Sequence, residues 1–310
     1  MVSSAINNRV WEHLIAGKSL DRLGLPTIDD RIDMRGFDAP SASMIREYQT
    51  NRANVRQLGN LTEIRGAHWK GIDFSNSHLQ SLRFFDTRIE DCCFDRADCE
   101  DWRMWGTTIS DSSFKSADLG RSAMGGIDGG KRNHFRQVEF SNADLRQTAH
   151  KSADFTECSF SDTNLKKVDF QGSVFVDCVF EGDLNEVLFY RHAFRGEAFP
   201  PNEMKGVDFR RARFHFVEFR RLDMDDVKWP EDDHHVIVKD YQRVLDRLLD
   251  ILNTRTDLVS RKMAAIFANK RKWAGPNQIE GVISKYDLLY IGGEEAVIEF
   301  LRLLAQVASN

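Results

Sequence analysis

The most regular feature of this chain is a large apolar side chain at every fifth position. Residues 168–180 show the pattern most clearly, because phenylalanine recurs at positions 170, 175 and 180 and a small or branched residue stands two positions before each. An amphipathic helix would repeat its apolar residues every ~3.6 positions and a half-buried strand every ~2. A sustained period of five therefore predicts a chain that turns a corner at every repeat, which is typical of a solenoid.

The period runs from Trp69 to Trp229 in three stretches of slightly different phase. Thirty of the 31 central positions are apolar, and they hold 17 of the 22 phenylalanines. The exception is His150, which we interpret as a core residue. A one-residue slip at 125–133 and a one-residue deletion at 183–187 separate the stretches. We interpret both as local loops that leave the solenoid continuous.

The residue two positions before each centre is usually small or β-branched. Four units resemble the A-[D/N]-[L/F]-x-x repeat of the pentapeptide-repeat family: Ala117-Asp118-Leu119, Ala143-Asp144-Leu145, Ala153-Asp154-Phe155 and Val207-Asp208-Phe209. The resemblance implies a mainly β fold, a right-handed quadrilateral parallel β-helix with one pentapeptide per side, four per coil and about eight coils. At that step one inner edge is expected to carry a column of phenylalanines, namely Phe74, Phe94, Phe114, Phe135, Phe155, Phe175, Phe194 and Phe214.

The rhythm divides the chain into three expected domains. Residues 1–60 are predicted to form an N-terminal helical and irregular cap, residues 61–230 the pentapeptide-repeat β-helix, and residues 231–310 an α-helical C-terminal domain. In the cap, Val10, Trp11 and Leu14 predict one face of a short helix, and a second helix is expected over residues 42–57.

The C-terminal domain is expected to contain three helices. The first is predicted to begin at Asp232 or Asp233 and to place Ile237 on its apolar face. The second is expected from about residue 256 to about residue 272. The third follows Gly292-Gly293.

Composition limits the classes of function. The chain has 310 residues and a net charge of -5, a mild value that disfavours direct nucleic-acid binding. Neither an export signal nor an apolar run long enough to span a membrane is found, so a cytoplasmic location is expected. Five cysteines are too few for a disulfide framework, and their places in the repeat predict that they fill the core in the reduced form.

Two short motifs invite a chemical interpretation and are rejected on their context. The stretch 125–132 nearly matches the phosphate-binding G-x-x-x-x-G-K-[S/T], but Arg132 replaces the hydroxyl residue and Phe135 resumes the solenoid where a helix should begin. The run 232–235, Asp-Asp-His-His, is better explained by a helix start than by a metal site. We therefore predict no catalytic residue, no metal and no cofactor.

Surface stripes are stronger candidates for a binding site. Phe85 and Trp105 each follow a central residue and stand twenty positions apart, so they are expected to point outward and stack in neighbouring coils. Either the N-terminal segment packs over them, or they form a partner-binding patch. Nearby acidic residues are included in that hypothetical patch: Asp86, Glu90, Asp91 and Asp111.

A basic cluster lies towards the other end of the repeats. Its members are Arg191, Arg210, Arg211, Arg213, Arg220 and Arg221. Ordinary solvated faces explain most of this charge, and contact with nucleic acid is the alternative.

Together these features predict a non-enzymatic protein-interaction scaffold whose partner is another protein. The alternative, implied by the family resemblance, is a DNA-mimicking protein that binds a type II topoisomerase (gyrase) and protects it from inhibitors. The resemblance also implies a homodimer formed through the terminal helices. No membrane partner is expected.

Overall fold

The computed structural model describes residues 4–40, 62–127, 129–192 and 200–308, and the chain divides into two units, 1–169 and 170–310. In the first unit the elements are α1 (Ser4–Ile15), a 3₁₀ helix (Asp21–Leu23), β1 (Thr27–Ile28), β2 (Arg31–Asp33), β3 (Thr62–Arg65), β4 (His68–Lys70), β5 (Ile72–Asp73), β6 (Leu82–Phe85), β7 (Arg88–Glu90), β8 (Arg103–Trp105), β9 (Thr108–Ser110), β10 (Asn133–Arg136), β11 (Ala153–Thr156) and β12 (Ser159–Ser161).

The second unit contains fewer strands and most of the helix. Strand β13 (Asp169–Phe170) straddles the division. After it come β14 (Val174–Val176), β15 (Val179–Asn185), β16 (Leu188–Tyr190), β17 (Ala212–His215), β18 (Glu218–Arg220), β19 (His235–Lys239), α2 (Tyr241–Leu252), α3 (Leu258–Trp273), β20 (Glu280–Ser284) and α4 (Lys285–Ala308).

Parallel pairing between strands twenty residues apart builds the first unit. Ile64 lies beside Phe84 and Phe84 beside Met104, while on the next side of the coil Trp69 lies beside Ile89. All of these central side chains are buried. Because each backbone amide bonds to the coil above or below, the narrow interior needs only apolar side chains. The fold class that the family resemblance implies, a parallel β-helix, is confirmed.

A left-handed residue makes most corners of the coil. It stands two positions after the central residue, as in Asp86 (φ 50°), Arg96 (φ 57°) and Ser116 (φ 57°). The aspartate of the repeat supports the same turn, because Asp118 Oδ1 accepts a hydrogen bond from the backbone N–H of Gly120 at 2.8 Å. Each corner is therefore set locally within its own pentapeptide.

The predicted phenylalanine column is wrong beyond Phe114. Phe114 stacks on Phe140 with ring centroids 5.6 Å apart, whereas Phe135 pairs with Ile109, 26 positions earlier. The loop at 125–132 thus adds six residues to its coil. A five-residue rhythm fixes a position only modulo five, so it cannot distinguish a slip of one from an insertion of six.

The same ambiguity affects the second unit. Phe189 stacks on Phe219, 30 positions later, at 5.4 Å, and Leu184 lies beside Phe214. The predicted neighbour Phe194 lies outside the described residues. Here the coil is ten residues longer than the ordinary step, an increment that leaves the five-residue phase unchanged.

The N-terminal segment packs along the first coil. Strand β2 pairs in parallel with β5, placing Ile32 beside Ile72. Helix α1 buries Trp11, whose ring lies 6.2 Å from that of Trp69. The short helix predicted from Val10, Trp11 and Leu14 is present as α1, and the helix predicted over residues 42–57 lies outside the described residues.

The C-terminal segment differs from the prediction at its start. Ile237 belongs to β19, which pairs antiparallel with β20, and α2 begins only at Tyr241. Helix α3 agrees with the prediction, and Asp257 caps it by accepting a hydrogen bond from the N–H of Ser260. Two helices separated by a kink at Gly292-Gly293 form α4. The five-residue β19 and β20 are too short to be separated from their surroundings by periodicity.

Residues after the last repeat seal the exposed edge of β17. The N–H of Phe214 donates to Nε2 of His235 at 3.1 Å, and its carbonyl accepts from the hydroxyl of Ser284 at 2.6 Å. Next to them, Asp287 accepts from the N–H of Phe216 at 2.7 Å. An open strand edge invites unwanted pairing, and these three side chains remove that hazard.

The cysteines occupy the places that the repeat predicts. Cys92, Cys99, Cys158 and Cys178 are buried and Cys93 is partly buried, all as free thiols. Burial raises the pKa of Cys92 to about 12, so its thiolate does not form near neutral pH.

Candidate protein-interaction site

Phe85 and Trp105 form a stacked pair on the outer face of the first unit. They end β6 and β8, which pair in register, so the step of one coil places one ring over the other. Their centroids are 4.5 Å apart and their planes differ by 8°. Both side chains are partly exposed. The stacking expected from their spacing is present.

The two outer ring faces of this pair are covered. The guanidinium carbon of Arg65 lies 3.8 Å from the centroid of Phe85. On the other side, the backbone of Gly126 approaches so closely that a Cβ added there would lie 2.8 Å from Cδ1 of Trp105. Only a glycine fits against Cδ1 and Nε1 of the indole, so the loop at 125–132 supports the stack.

Charged side chains surround the stack in internal ion pairs. Arg65 bonds to Glu63 at 2.9 Å, and Lys131 bonds to Asp86 at 2.6 Å. Asp101 accepts from two guanidinium groups, those of Arg83 at 2.6 Å and Arg103 at 2.9 Å. We call Arg65, Phe85, Arg103, Trp105 and Gly126 the aromatic face.

The acidic residues named with the aromatic pair are mostly neutralised. Asp86 pairs with Lys131, and Asp91 pairs with Arg31 at 2.6 Å. Glu90 pairs with Lys70 at 2.5 Å, and this hydrogen bond holds the pKa of Glu90 below its usual value. Asp111 is exposed and has no ion pair with a described residue. Asp86 directly follows Phe85 and bonds to Lys131, whereas Glu90 and Asp91 engage other cations.

The basic cluster in the second unit is neutralised in the same way. Five of its arginines pair with carboxylates: Arg191 with Asp223, Arg210 with Asp208, Arg211 with Glu181, Arg213 with Asp183 and Arg220 with Glu218. Arg221 is exposed and has no ion pair with a described residue. The hydrogen bond from Arg213 lowers the pKa of Asp183, as expected for a carboxylate held beside a guanidinium. Little unpaired positive charge is left for a phosphate backbone.

The near match to a phosphate-binding loop serves the fold. Strand β10, not a helix, follows Lys131. Arg132 is buried and forms an ion pair with Asp154 at 2.7 Å, and a Cβ at Gly125 would lie 2.3 Å from the backbone nitrogen of Lys151. These residues hold the loop against the next coil.

The histidines named as candidates are structural. His150 is fully buried, its Nε2 lies 2.7 Å from Oγ1 of Thr148, and burial lowers its pKa to about 3. Nδ1 of His235 bonds to Asp232 at 2.7 Å. Within the described ranges, no group of three or more His, Cys, Asp or Glu side chains is placed to hold a metal ion.

A second aromatic cluster lies on the second unit and was not predicted. Tyr286 packs between His215 and His234, with centroids at 4.6 Å and 4.7 Å. Tyr290, which is 80% exposed, meets the ring of Phe216 edge to face at 5.2 Å. The four-residue spacing of the two tyrosines on α4 was the available signal, but nothing in the sequence shows which repeat they meet.

Comparison with known families agrees with the repeat geometry. The family model for pentapeptide repeats matches eight copies, over residues 139–175 and 151–182. The chain therefore contains pentapeptide repeats of this family over these residues. No curated protein sequence matches it significantly. Among the described parts of this pentapeptide-repeat protein, no helix is both long and apolar enough to cross a membrane.

Solved structures of several pentapeptide-repeat proteins are similar to this one. Rfr23 from the cyanobacterium Cyanothece 51142 shares 10% identity, with 45% of this chain and 99% of that chain covered and a TM-score of 0.34. HetL from Nostoc sp. strain PCC 7120, which is involved in heterocyst differentiation regulation, shares 13% identity over 62% of this chain and 98% of that chain, with a TM-score of 0.30. Full-length QnrB1, a plasmid-mediated fluoroquinolone resistance protein, shares 16% identity over 60% of this chain and 91% of that chain, with a TM-score of 0.20.

Proposed function

We propose that this pentapeptide-repeat protein is a non-enzymatic scaffold that binds another protein through its aromatic face. The observation that carries the proposal is the partly exposed stack of Phe85 on Trp105. Large aromatic side chains held rigidly at a surface lose little entropy on binding and are enriched at the centres of interfaces. Because Arg65 and Gly126 cover the two outer ring faces, the two rings are held in position before a partner binds.

Affinity capture tests this proposal. The full-length wild type is compared with the double variant Phe85→Ala/Trp105→Ala, using native lysate and equal amounts of folded protein. The control is Phe216→Ala/Tyr290→Ala, which removes a second, more exposed aromatic pair from the second unit. We expect loss of captured proteins for the first variant and retention for the control. The same set of captured proteins for the first variant and the wild type would reject the aromatic face as the binding site.

The DNA-mimicking alternative has weaker support. A protein that imitates duplex DNA needs an extended face of uncompensated acidic side chains. In this chain Asp86, Glu90 and Asp91 are each paired with a cation from the same chain. A gyrase supercoiling assay with and without a fluoroquinolone addresses this alternative. Protection of the enzyme at micromolar protein would favour the mimic, and an unchanged reaction would remove it.

Two further parts of the proposal concern location and assembly. Five free cysteines favour a reducing compartment such as the cytoplasm.

Helix α4 exposes Ile298 and Leu301, at 66% and 41%, and this supports pairing of two chains through their terminal helices. Sedimentation of the wild type and of Ile298→Glu/Leu301→Glu tests the homodimer, since a dimer of that kind dissociates in the variant.

A further inference from the structure

The aromatic face restricts the chemistry of any partner, because the faces of its rings are already occupied. Phe85 covers one side of Trp105 and Gly126 the other, while Arg65 covers the free side of Phe85. A nucleobase or a further aromatic ring could stack only by displacing the guanidinium or the loop. What remains accessible is the ring edges, which carry the positive part of the aromatic quadrupole.

The same face offers hydrogen-bond donors. Trp105 is partly exposed, and its Nε1 donates no hydrogen bond to a described residue. Arg103 precedes Trp105 by two positions on β8, and its side chain therefore points to the same side of the strand. It is 41% exposed and uses one guanidinium nitrogen for Asp101, which leaves further N–H groups available.

The exposed carboxylates on this face are already engaged, and the third, Glu63, is buried with only Oε2 hydrogen-bonded among the described residues. Asp101 is shared between Arg83 and Arg103, Asp86 is bonded to Lys131, and Glu63 is buried beside Arg65. The set contains four cationic side chains and three carboxylates. Positive ring edges, free N–H donors and one excess cation together present a surface that complements an anion.

We propose that the aromatic face recognises an acidic peptide segment of the partner protein, with an aspartate or glutamate carboxylate accepting hydrogen bonds from Nε1 of Trp105 and from Arg103. This inference rests on the proposed function and adds the chemistry of the ligand. A guanidinium and an indole N–H on one side of a strand form a charge-assisted donor pair for a carboxylate. The covered ring faces disfavour single-stranded nucleic acid, whose usual binding mode is base stacking.

Fluorescence anisotropy with three labelled probes tests the inference on the full chain. The probes are an eight-residue peptide of alternating aspartate and glycine, its lysine counterpart, and an eight-nucleotide oligodeoxythymidine. The key variant is Trp105→Phe, which keeps an aromatic ring over Phe85 but removes the indole N–H. Trp229→Phe is the matched control, because Trp229 is also partly exposed and lies in the second unit. Melting temperatures confirm that both variants are folded.

We expect the aspartate peptide to bind at least about tenfold more tightly than either other probe, and Trp105→Phe to weaken it about fivefold, as for loss of one hydrogen bond to a charged group. Trp229→Phe should bind like the wild type. Preference for the lysine peptide or the oligonucleotide, absence of binding by the aspartate peptide, or unchanged binding by Trp105→Phe would overturn the inference.

The two proposals fail separately. Loss of captured proteins with Phe85→Ala/Trp105→Ala, together with unchanged peptide binding by Trp105→Phe, would keep the aromatic face and reject the carboxylate contact. Unchanged capture would reject the proposed function itself.

Discussion

The backbone N–H of Phe214 donates a hydrogen bond to Nε2 of His235, so a side chain from beyond the repeats completes the edge of β17. Because Nε2 acts as the acceptor, the ring proton must sit on Nδ1, from which it reaches Asp232 at 2.7 Å. The seal therefore requires a neutral imidazole. Protonation would place a second N–H against that of Phe214.

Replacing His235 tests this seal. His235→Leu should lower the free energy of unfolding by about 1–3 kcal/mol, because the buried N–H of Phe214 loses its acceptor. His235→Gln, whose side-chain oxygen can still accept, should recover part of that loss. Urea denaturation measures both. Equal stability of the two variants would show that the hydrogen bond to Phe214 contributes nothing.

The same histidine makes stability depend on pH. Burial lowers the pKa of His235 below its ordinary value of 6.5, although Asp232 and Asp287 act in the opposite direction and His234 adds to the lowering. The unfolded chain therefore takes up the proton first as the pH falls. We expect the contribution of His235 to be complete above about pH 6.5 and to be lost progressively below it. Comparison of His235→Gln with the wild type across pH 5–8 isolates this contribution.

Burial of His150 should make the stability of the first unit depend more strongly on acid pH. Its pKa falls from 6.5 to about 3 on burial, so folding keeps it neutral over that whole range. As the pH drops from 6.5 to 3, this single group should cost about 5 kcal/mol of stability. His150→Leu should flatten the acid limb of the stability profile, measured by thermal unfolding. Met124→Leu, at the preceding central position of the same column, is the control and should retain it.

A double-mutant cycle checks the corrected register around the loop at 125–132. Phe114 and Phe140 are stacked at 5.6 Å, and no ring contact joins Phe114 to Phe135. Leucine substitutions at 114 and 140 should show a coupling energy above about 0.5 kcal/mol, whereas those at 114 and 135 should be additive within that value. A larger coupling energy for the pair 114/135 than for the pair 114/140 would contradict this register and support the phenylalanine column expected from a one-residue slip.

Corner residues offer a test of the local turns. Ser116 is exposed at φ 57°, a conformation that a β-branched residue adopts with strain. Ser116→Val should destabilise the protein by about 1–2 kcal/mol, while Ser116→Gly should be neutral or slightly stabilising at this position. Denaturant unfolding of the two variants gives the comparison. Equal stability of the valine and glycine variants would show that the left-handed conformation at residue 116 does not strain a β-branched side chain.

The predictable part of the molecule is the part governed by the five-residue rhythm. It identified which residues point inward, from Trp69 onward, and it placed Phe85 and Trp105 outside and one above the other. Loop lengths were not predictable, because an insertion of six leaves Phe135 in the same phase as a slip of one. The ion pairs that neutralise Asp91 and Arg213 were also hidden. Arg31 reaches Asp91 from the non-repetitive N-terminal segment, and Asp183 lies beside Arg213 because the coil between them is ten residues longer than the ordinary step.

The C-terminal seal was unpredictable for a different reason. His235 and Ser284 lie in strands of five residues each and act through single hydrogen bonds to the backbone of Phe214. Such contacts leave no periodic trace. The sequence therefore suggested a helix start at Asp232 where the chain instead forms the closing strand of the seal.

The six-residue insertion has a consequence for engineering. The chain leaves the coil after Met124 and rejoins it at Asn133 without disturbing the stacking of the coils on either side, as the pairing of Phe135 with both Ile109 and Phe155 demonstrates. At the tip, a Cβ on Gly129 or Gly130 would meet no atom within 4 Å. The tip is therefore a natural grafting point, where a foreign epitope or a fluorescent tag could be displayed while the repeats beneath it keep their register.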